Sequence, residues 1–537
     1  MVYIFFEIVY NYYQFKLVKS TQLDLSSEEI EGHNMRKKLL LGILLMICCF
    51  CAACGKYENK DNNGVLKLKW LMPADIEMIS KSEEELVEKE LAKFFEDMDV
   101  MIDLNFVDKN TYTEQITKIL QTDQAWDMVF LSQELNQVMR NKTRKFFAPI
   151  TELLITENTQ LYETIPEYAW DVMTVNKEIY AVPNRHLWAA QEGYYVRADY
   201  LSEYGRGLKT EKINTFDRIG AFLEQVTTKE KCIGTFVPQN QWEKELISNG
   251  FYFSGDIEEL GVIKKTSHGF VVENMFETEE FANYCNRMRN WYEEEFIRED
   301  SAVRDANTAV ISQDKKNGLF ALESINYLEP GMEKQVAAEY GDVYSFKALP
   351  TSEIVISANK VAEYSTAFSV NSEHLTEAMN VVERIYHSEE LHNLILYGIE
   401  GKHYEKLNDR QIQKIVDSGY GSNETGAVDS YVLGNQYLSY VLEKEDYDKW
   451  EIMQSWEQKA KLPETTGFFF RTTKVSDDIR NVSAILDSDL RLLETGSVDV
   501  ETFLPEFLNK LQEAGADRII EEYQIQLTRW INNKSEH

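Results

Sequence analysis

Apolar and polar side chains alternate over 65–72. Leu66, Leu68 and Trp70 fall on one face, with Lys67 and Lys69 between them. A period of two predicts a strand with one face buried. The period lengthens next. Ser82-Glu-Glu-Glu85 has capping-box spacing, and Leu86, Leu91, Phe94 and Phe95 follow it, which predicts an amphipathic helix. The shorter period returns over 101–107, where Ile102, Leu104 and Phe106 share a face. Residues 113–120 predict a second helix, and Trp126-Asp-Met-Val-Phe-Leu131 a short, mostly buried strand. The order β-α-β-α-β predicts the start of an open, largely parallel sheet wrapped by helices. Ligands of such sheets sit off the carboxyl ends of the strands. That makes Ser132, Gln133 and Glu134 candidates for a site.

A different pattern precedes this sheet. Arg36, Lys37 and Lys38 lead into an apolar run of 12 residues, Leu39 to Phe50, and then into Ala52, Ala53 and Cys54. A charged start, a short apolar middle and a small-residue end are the parts of an export signal. A membrane-crossing helix needs about 20 residues, so a leader is expected in place of a spanning anchor. The end of the run, Ala52-Ala-Cys54-Gly55, resembles a bacterial lipobox, in which cleavage falls before a cysteine that carries lipid; Cys51 stands where that family usually has Leu. Cys51-Ala-Ala-Cys54 also has the spacing of a redox pair or half a zinc site. No further ligands lie close by, and the pair ends a leader where a redox motif would open a helix after a strand. The expected organisation is an extension over 1–34 ahead of a true start at Met35, a signal peptide over 35–53, lipid on Cys54 and a polar tether over 54–64. Cys232 and Cys285 are then the remaining cysteines of the body, and their pairing stays open.

Charge narrows the class. The chain holds 56 Lys and Arg against 90 Asp and Glu, a net −34 that loss of the leader does not change. Nucleic acid and anionic lipid both favour a cationic face, so neither is an expected partner. The excess suits a solvated, exported protein. At 537 residues the chain exceeds what one core usually serves, so two lobes are expected. Nine Trp, 29 Tyr and 27 Phe are plentiful; most are expected in the core, and a carbohydrate or other aromatic-lined cleft could draw on the rest.

The middle of the chain adds longer motifs. Glu178-Ile-Tyr-Ala-Val-Pro183 predicts a strand, followed by Asn184-Arg-His-Leu-Trp188 and then by Gly193-Tyr-Tyr-Val-Arg-Ala-Asp-Tyr-Leu-Ser-Glu-Tyr-Gly205. This series resembles the extracellular solute-binding proteins of sugar-type ABC importers, at the point where the chain first crosses between lobes. Asn317-Gly-Leu-Phe-Ala-Leu-Glu323 with the loop to Gly331 is similar to that family's second ligand loop. Tyr397-Gly-Ile-Glu-Gly-Lys-His-Tyr404 resembles a subgroup of large lipoproteins of the LipO type. Gly467-Phe-Phe-Phe-Arg471, Thr495-Gly496 and Tyr523-Gln-Ile-Gln-Leu527 resemble that subgroup's carboxyl-terminal domain. The resemblance implies a two-lobed α/β fold of the type II periplasmic-binding-protein kind, each lobe a sheet flanked by helices, with a hinged cleft between. Lobe 1 is expected from 65–185 with 360–420, and lobe 2 from 193–350 with 425–537. Crossings are expected near 183–193, 350–368 and 415–430.

The resemblance also implies a function: capture of a saccharide and delivery to a membrane permease driven by separate ATPase subunits, from a lipid anchor on the outer face of a Gram-positive-type membrane. Trp188 and Trp242 are the expected stacking platforms, with core packing the competing fate. Arg185 and His186 follow the crossing strand, where they would meet sugar hydroxyls or serve a hinge. Gln133, Glu134, Asn240, Asn326 and Tyr327 are further expected contacts. A same-fold receptor for peptides and a cell-surface glycoside-processing enzyme are the alternatives. Walker A, GxSxG and HExxH motifs are absent. The acidic runs 83–85 and 293–295 splay on a helix, whereas a glycosidase holds two carboxylates roughly 5 to 9.5 Å apart across a sugar bond. The eight His are scattered without ligand spacing. No catalytic residue, metal or cofactor is therefore expected.

Overall fold

The computed structural model describes residues 64–535 apart from 123, 304–307, 326, 423 and 424. The expected extension, signal peptide, Cys54, the tether to residue 63 and Asn326 lie outside these residues. The first sheet forms as its pattern predicts. Leu66–Ala74 pairs in parallel with Val100–Asp108 and with Met128–Leu131. Ser365–Phe368 returns much later in the chain to pair antiparallel with Met128–Leu131 and with Ala181–Pro183, completing five strands. Met128–Leu131 is buried throughout, as a central strand covered on both faces must be. The helix Lys81–Lys93 starts slightly earlier than expected. Its cap is Ser80, whose side chain accepts from the Glu83 amide, so Ser82 lies in the first turn. Buried Glu88 ties this helix to the sheet by accepting from the Leu104 amide at 2.8 Å.

The second lobe is built differently. Gly193–Arg197 is the middle of a three-stranded antiparallel sheet with Leu322–Ser324 and Phe346–Pro350. Tyr194 and Val196 face one core and Tyr195 the other side, the alternation a strand imposes. A second small sheet joins Phe251–Tyr252, Gly261–Thr266 and Gly269–Asn274. Helices supply the rest. Val500–Ala514 brings Phe507 and Leu511 into this core, and Ala516–Ser535 brings Ile519, Tyr523 and Leu527. Cys285 is buried there and Cys232 half-buried, both as free thiols.

Three crossings run side by side. Ala189–Ala190 pairs antiparallel with Val355–Ile356. Lys461 lies against the latter, with its amide donating to Ile354 at 2.9 Å and its carbonyl accepting from Ile356 at 2.8 Å. The third crossing was expected at 415–430, and the structure moves it to about 461. Ala427, Val428, Val432, Leu433 and Tyr440 are buried in the first core. The Asn184 amide donates to the Tyr431 and Val432 carbonyls, and Val441–Leu442 pairs with Gln411–Lys414. Apolar burial and these bonds hold 425–460 in lobe 1, so the chain rejoins lobe 2 only near 464.

The motif at 397–404 is a joint in lobe 1. Gly398 has φ +81°, and a Cβ there would stand 2.2 Å from His403 Nδ1. That nitrogen accepts from the Ile399 amide at 2.8 Å, while Nε2 meets Glu83 at 3.0 Å on the first helix.

Candidate ligand cleft

A cavity of about 800 Å³ lies between the two main cores, beside the crossing strands. Lobe 1 contributes Gln133, the first residue of the helix Gln133–Phe146, and Ser357, Asn359, Lys360 and Glu363 around the short helix Ala358–Val361. Lobe 2 contributes the loop 238–244, the segment 251–257 and Tyr327. The volume suits a small or medium-sized organic ligand.

The lobe 2 wall is held from behind. Glu494 is almost fully buried. Its Oε1 accepts from the Asn240 amide at 2.7 Å and from Trp242 Nε1 at 3.1 Å. Arg491 pairs with the same carboxylate and donates to the carbonyls of Val237, Pro238 and Ser301. This network lets Asn240 keep φ +61°, a left-handed turn that Asn tolerates better than most residues. The neighbouring segment is held by Tyr523, whose hydroxyl meets Ser254 Oγ at 2.7 Å and whose ring stacks on Phe470 at 4.3 Å. Tyr252 and Phe253 consequently present half-buried rings to the cavity.

Charges on the wall are mostly matched. Lys244 and Glu192, both buried, approach to 3.2 Å, and Lys244 also donates to the Ile325 carbonyl. Lys360 meets Glu363 at 2.9 Å within lobe 1 and Glu329 at 3.4 Å on lobe 2. The Asn359 side chain donates to the Gly255 carbonyl at 3.2 Å. These last two contacts join one wall to the other. Glu243 differs: among the described residues its carboxyl has no hydrogen-bond or ion-pair partner. Burial, reinforced by the Glu192 charge, pushes it up to about 8.

Of the residues singled out from sequence, the structure brings Gln133, Asn240 and Tyr327 together on the wall. Glu134 is exposed and outside it. Trp188 and Trp242 are fully buried, so neither ring has a face open to a ligand. Trp188 packs in the first core and donates to the Asn184 carbonyl at 3.2 Å. Trp242 packs among Phe253, Phe276 and Phe281 and positions the loop through Glu494. Arg185 is turned away from the cavity by a bidentate pair with Glu457 and lies 4.4 Å over the Trp188 ring. His186 is buried against Tyr364 at 4.9 Å, and desolvation holds it well below the usual imidazole range. Core packing wins for Trp188, Trp242 and Arg185 because Asn184, Glu494 and Glu457 satisfy their polar atoms internally, and His186 is buried even though its Nε2 has no hydrogen-bond partner among the described residues. Sequence reading missed Glu243, Tyr252 and Phe253. The aromatic triplet at 251–253, between Gly250 and Gly255, was the available signal.

Known proteins share this architecture. Residues 464–532 match the family described as a domain of unknown function, DUF3502. A carbohydrate ABC transporter substrate-binding protein of Streptococcus pneumoniae serotype 4 is 23% identical over 506 residues, covering 90% of this chain and 96% of its own length. The crystal structure of the N-glycan transport solute binding protein NgtS from Streptococcus pneumoniae superposes with a TM-score of 0.69 at 20% identity, covering 87% of this chain and 99% of that one. The same protein in complex with Man1GlcNAc gives a TM-score of 0.63 at 20% identity and equal coverage. Over nearly its whole body the chain is thus similar to carbohydrate ABC transporter substrate-binding proteins and has the two-lobed α/β fold of solute-binding proteins.

Proposed function

We propose that this chain is the saccharide receptor of an ABC importer. The carrying observation is the interlobe cavity: it combines half-buried aromatic rings (Tyr252, Phe253, Tyr327) with polar side chains (Gln133, Asn240, Glu243), and it opens beside three crossings that lie side by side. Rings cover the apolar faces of sugars, and polar groups meet their hydroxyls. The pneumococcal relatives, one of them solved with a bound Man1GlcNAc, support the same reading. The mechanism is binding coupled to hinge closure. A solute stabilises the closed form to the extent that it binds that form better. The closed receptor then docks on a permease energised by separate ATPase subunits. Export through 35–53 and lipid on Cys54 would keep it at the outer face of a Gram-positive-type membrane, near that permease.

Thermal-shift screening of 56–537 against sugars, oligosaccharides and peptides tests this. Stabilisation by a saccharide without turnover is the expected result. Stabilisation by peptides alone would assign a peptide receptor, and released product would assign an enzyme. For the anchor, Cys54→Ala is expected to move the protein from the membrane fraction to the medium or leave an unprocessed precursor; unchanged processing and partition would remove the lipid reading.

A further inference from the structure

Glu243 begins the short helix Glu243–Ser248 and lines the cavity from lobe 2. Among the described residues no side chain or amide bonds to its carboxyl. The cations of the wall are matched elsewhere. Lys244 meets Glu192 and the Ile325 carbonyl, Arg491 meets Glu494 and three carbonyls, and Lys360 on lobe 1 meets Glu363 and Glu329. Asp256 adds another carboxyl to the same wall, and burial holds the Tyr327 phenol there in its protonated form. An ionised Glu243 would lose water without gaining a cation, and would stand among like charges. A carboxyl so placed keeps its proton. Burial first, then the charges of Glu192, Glu494 and Asp256 against that of Lys244, raise it to about 8. At neutral pH the group is an uncharged acid, with one O–H to donate and one carbonyl to accept.

Resting on the saccharide-receptor reading above, we infer that Glu243 binds the solute as a neutral acid, its O–H donating to an oxygen of the sugar and its carbonyl accepting from a sugar hydroxyl. The carboxylates paired with Lys244, Lys360 and Arg491 can only accept, so this donor is something the other acids of the wall do not supply. A bound sugar also displaces the water left on the Glu243 side chain, and further desolvation favours the protonated form. Binding therefore draws a proton from solution wherever part of the group is ionised. By linkage, affinity is full well below pH 8 and is lost as pH rises through it.

The test uses the whole exported chain and calorimetric titration with gluco-, manno- and galacto-oligosaccharides and N-acetylhexosamine oligosaccharides, probes whose own charge stays at zero across the pH range. A probe that binds is expected to do so about tenfold more weakly at pH 9 than at pH 7. At pH 8, titrations in buffers of different ionisation enthalpy should register uptake of about half a proton per probe bound. Glu243→Gln keeps a donor and an acceptor at every pH, so it should lose both the slope and the uptake. A flat profile without proton uptake by the unmodified protein would overturn the inference, as would a slope and uptake that persist in a folded Glu243→Gln variant. The unmodified protein decides against the inference by itself, so a variant that fails to fold does not shield it. Failure of every probe to bind would remove the receptor reading along with this one.

Discussion

In lobe 1, three strands formed within 66–131 lead directly to Gln133 at the cleft, from the end of one of them. In lobe 2, the cleft wall is made of loops that come to rest only against partners far along the chain. Asn240 is held by Glu494, 254 residues later, and Ser254 by Tyr523, 269 residues later. Lobe 1 thus builds its frame from local β-α-β units and closes it with late additions. Lobe 2 depends on its carboxyl-terminal helices for the wall itself. A lobe whose site is held by remote contacts should lose binding together with those contacts, while the other lobe keeps its sheet.

Removing Tyr523 should break this asymmetry open most forcefully. Tyr523→Ala deletes a fully buried ring, its stacking on Phe470 and its bond to Ser254. A loss of about 3–5 kcal/mol is expected. Hydrogen exchange should accelerate at Gly261–Thr266 and stay slow at Met128–Leu131. Equal acceleration in both strands would mean that the lobes do not differ in the way described.

Two buried arginine–glutamate pairs allow a sharper contrast. Glu494→Gln weakens the pair behind the lobe 2 wall, and Glu457→Gln weakens its counterpart behind Arg185 and Trp188 in lobe 1. Each should cost about 2–3 kcal/mol, since a buried arginine is left poorly compensated. Only Glu494→Gln should also weaken saccharide binding, by about tenfold, because it alone frees a cavity loop. Urea denaturation and calorimetry on both variants separate the two effects.

Glu88 gives lobe 1 a pH dependence of its own. Burial raises its carboxyl from the ordinary 4.5 to about 7. The native state therefore holds the proton more tightly than the unfolded chain does. Stability is greatest below the ordinary value, falls as pH rises toward 7, and levels off above it. The fall should be on the order of 3 kcal/mol. Glu88→Gln keeps the acceptor for the Leu104 amide and should flatten the slope of urea midpoints between acid and alkaline buffer. A slope that survives the substitution would place its origin in another group.

The smallest effect concerns the contacts that join the lobes. Lys360→Met removes the ion pair to Glu329 together with the one to Glu363 and should cost about 1–2 kcal/mol, because both pairs are partly solvated. It acts on the open–closed balance, so small-angle scattering of the unliganded protein should show a larger radius, and affinity should fall by about two- to fivefold. No change in either would mean that closure rests on the Asn359–Gly255 contact and the ligand.

The lobe contrast also explains which parts could be read in advance. Leu66, Leu68 and Trp70, or Ile102 and Leu104, declare their burial by a period of two, and the first sheet follows. The crossings at 189–190 and 355–356 fell inside the expected windows, but the third did not. Residues 425–440 carry turn and polar residues like a linker, and only their contacts with Asn184 and the first core show where they belong. For the site, Gln133, Asn240 and Tyr327 line the cavity while Trp188 and Trp242 do not. An indole looks the same in sequence whether it faces a core or a cleft.

By itself the sequence determined the alternating strands, the amphipathic helices, the acidic excess and the leader pattern, because each is a local or compositional property. The tertiary structure alone decided that Glu457 and Glu494 draw the candidate tryptophans and Arg185 into packing, that the third crossing lies near 461, and that Glu243 faces the cavity without a hydrogen-bond or ion-pair partner among the described residues. The reason is physical. Burial and pairing of a side chain depend on what folds back onto it, and here those partners lie more than 250 residues away.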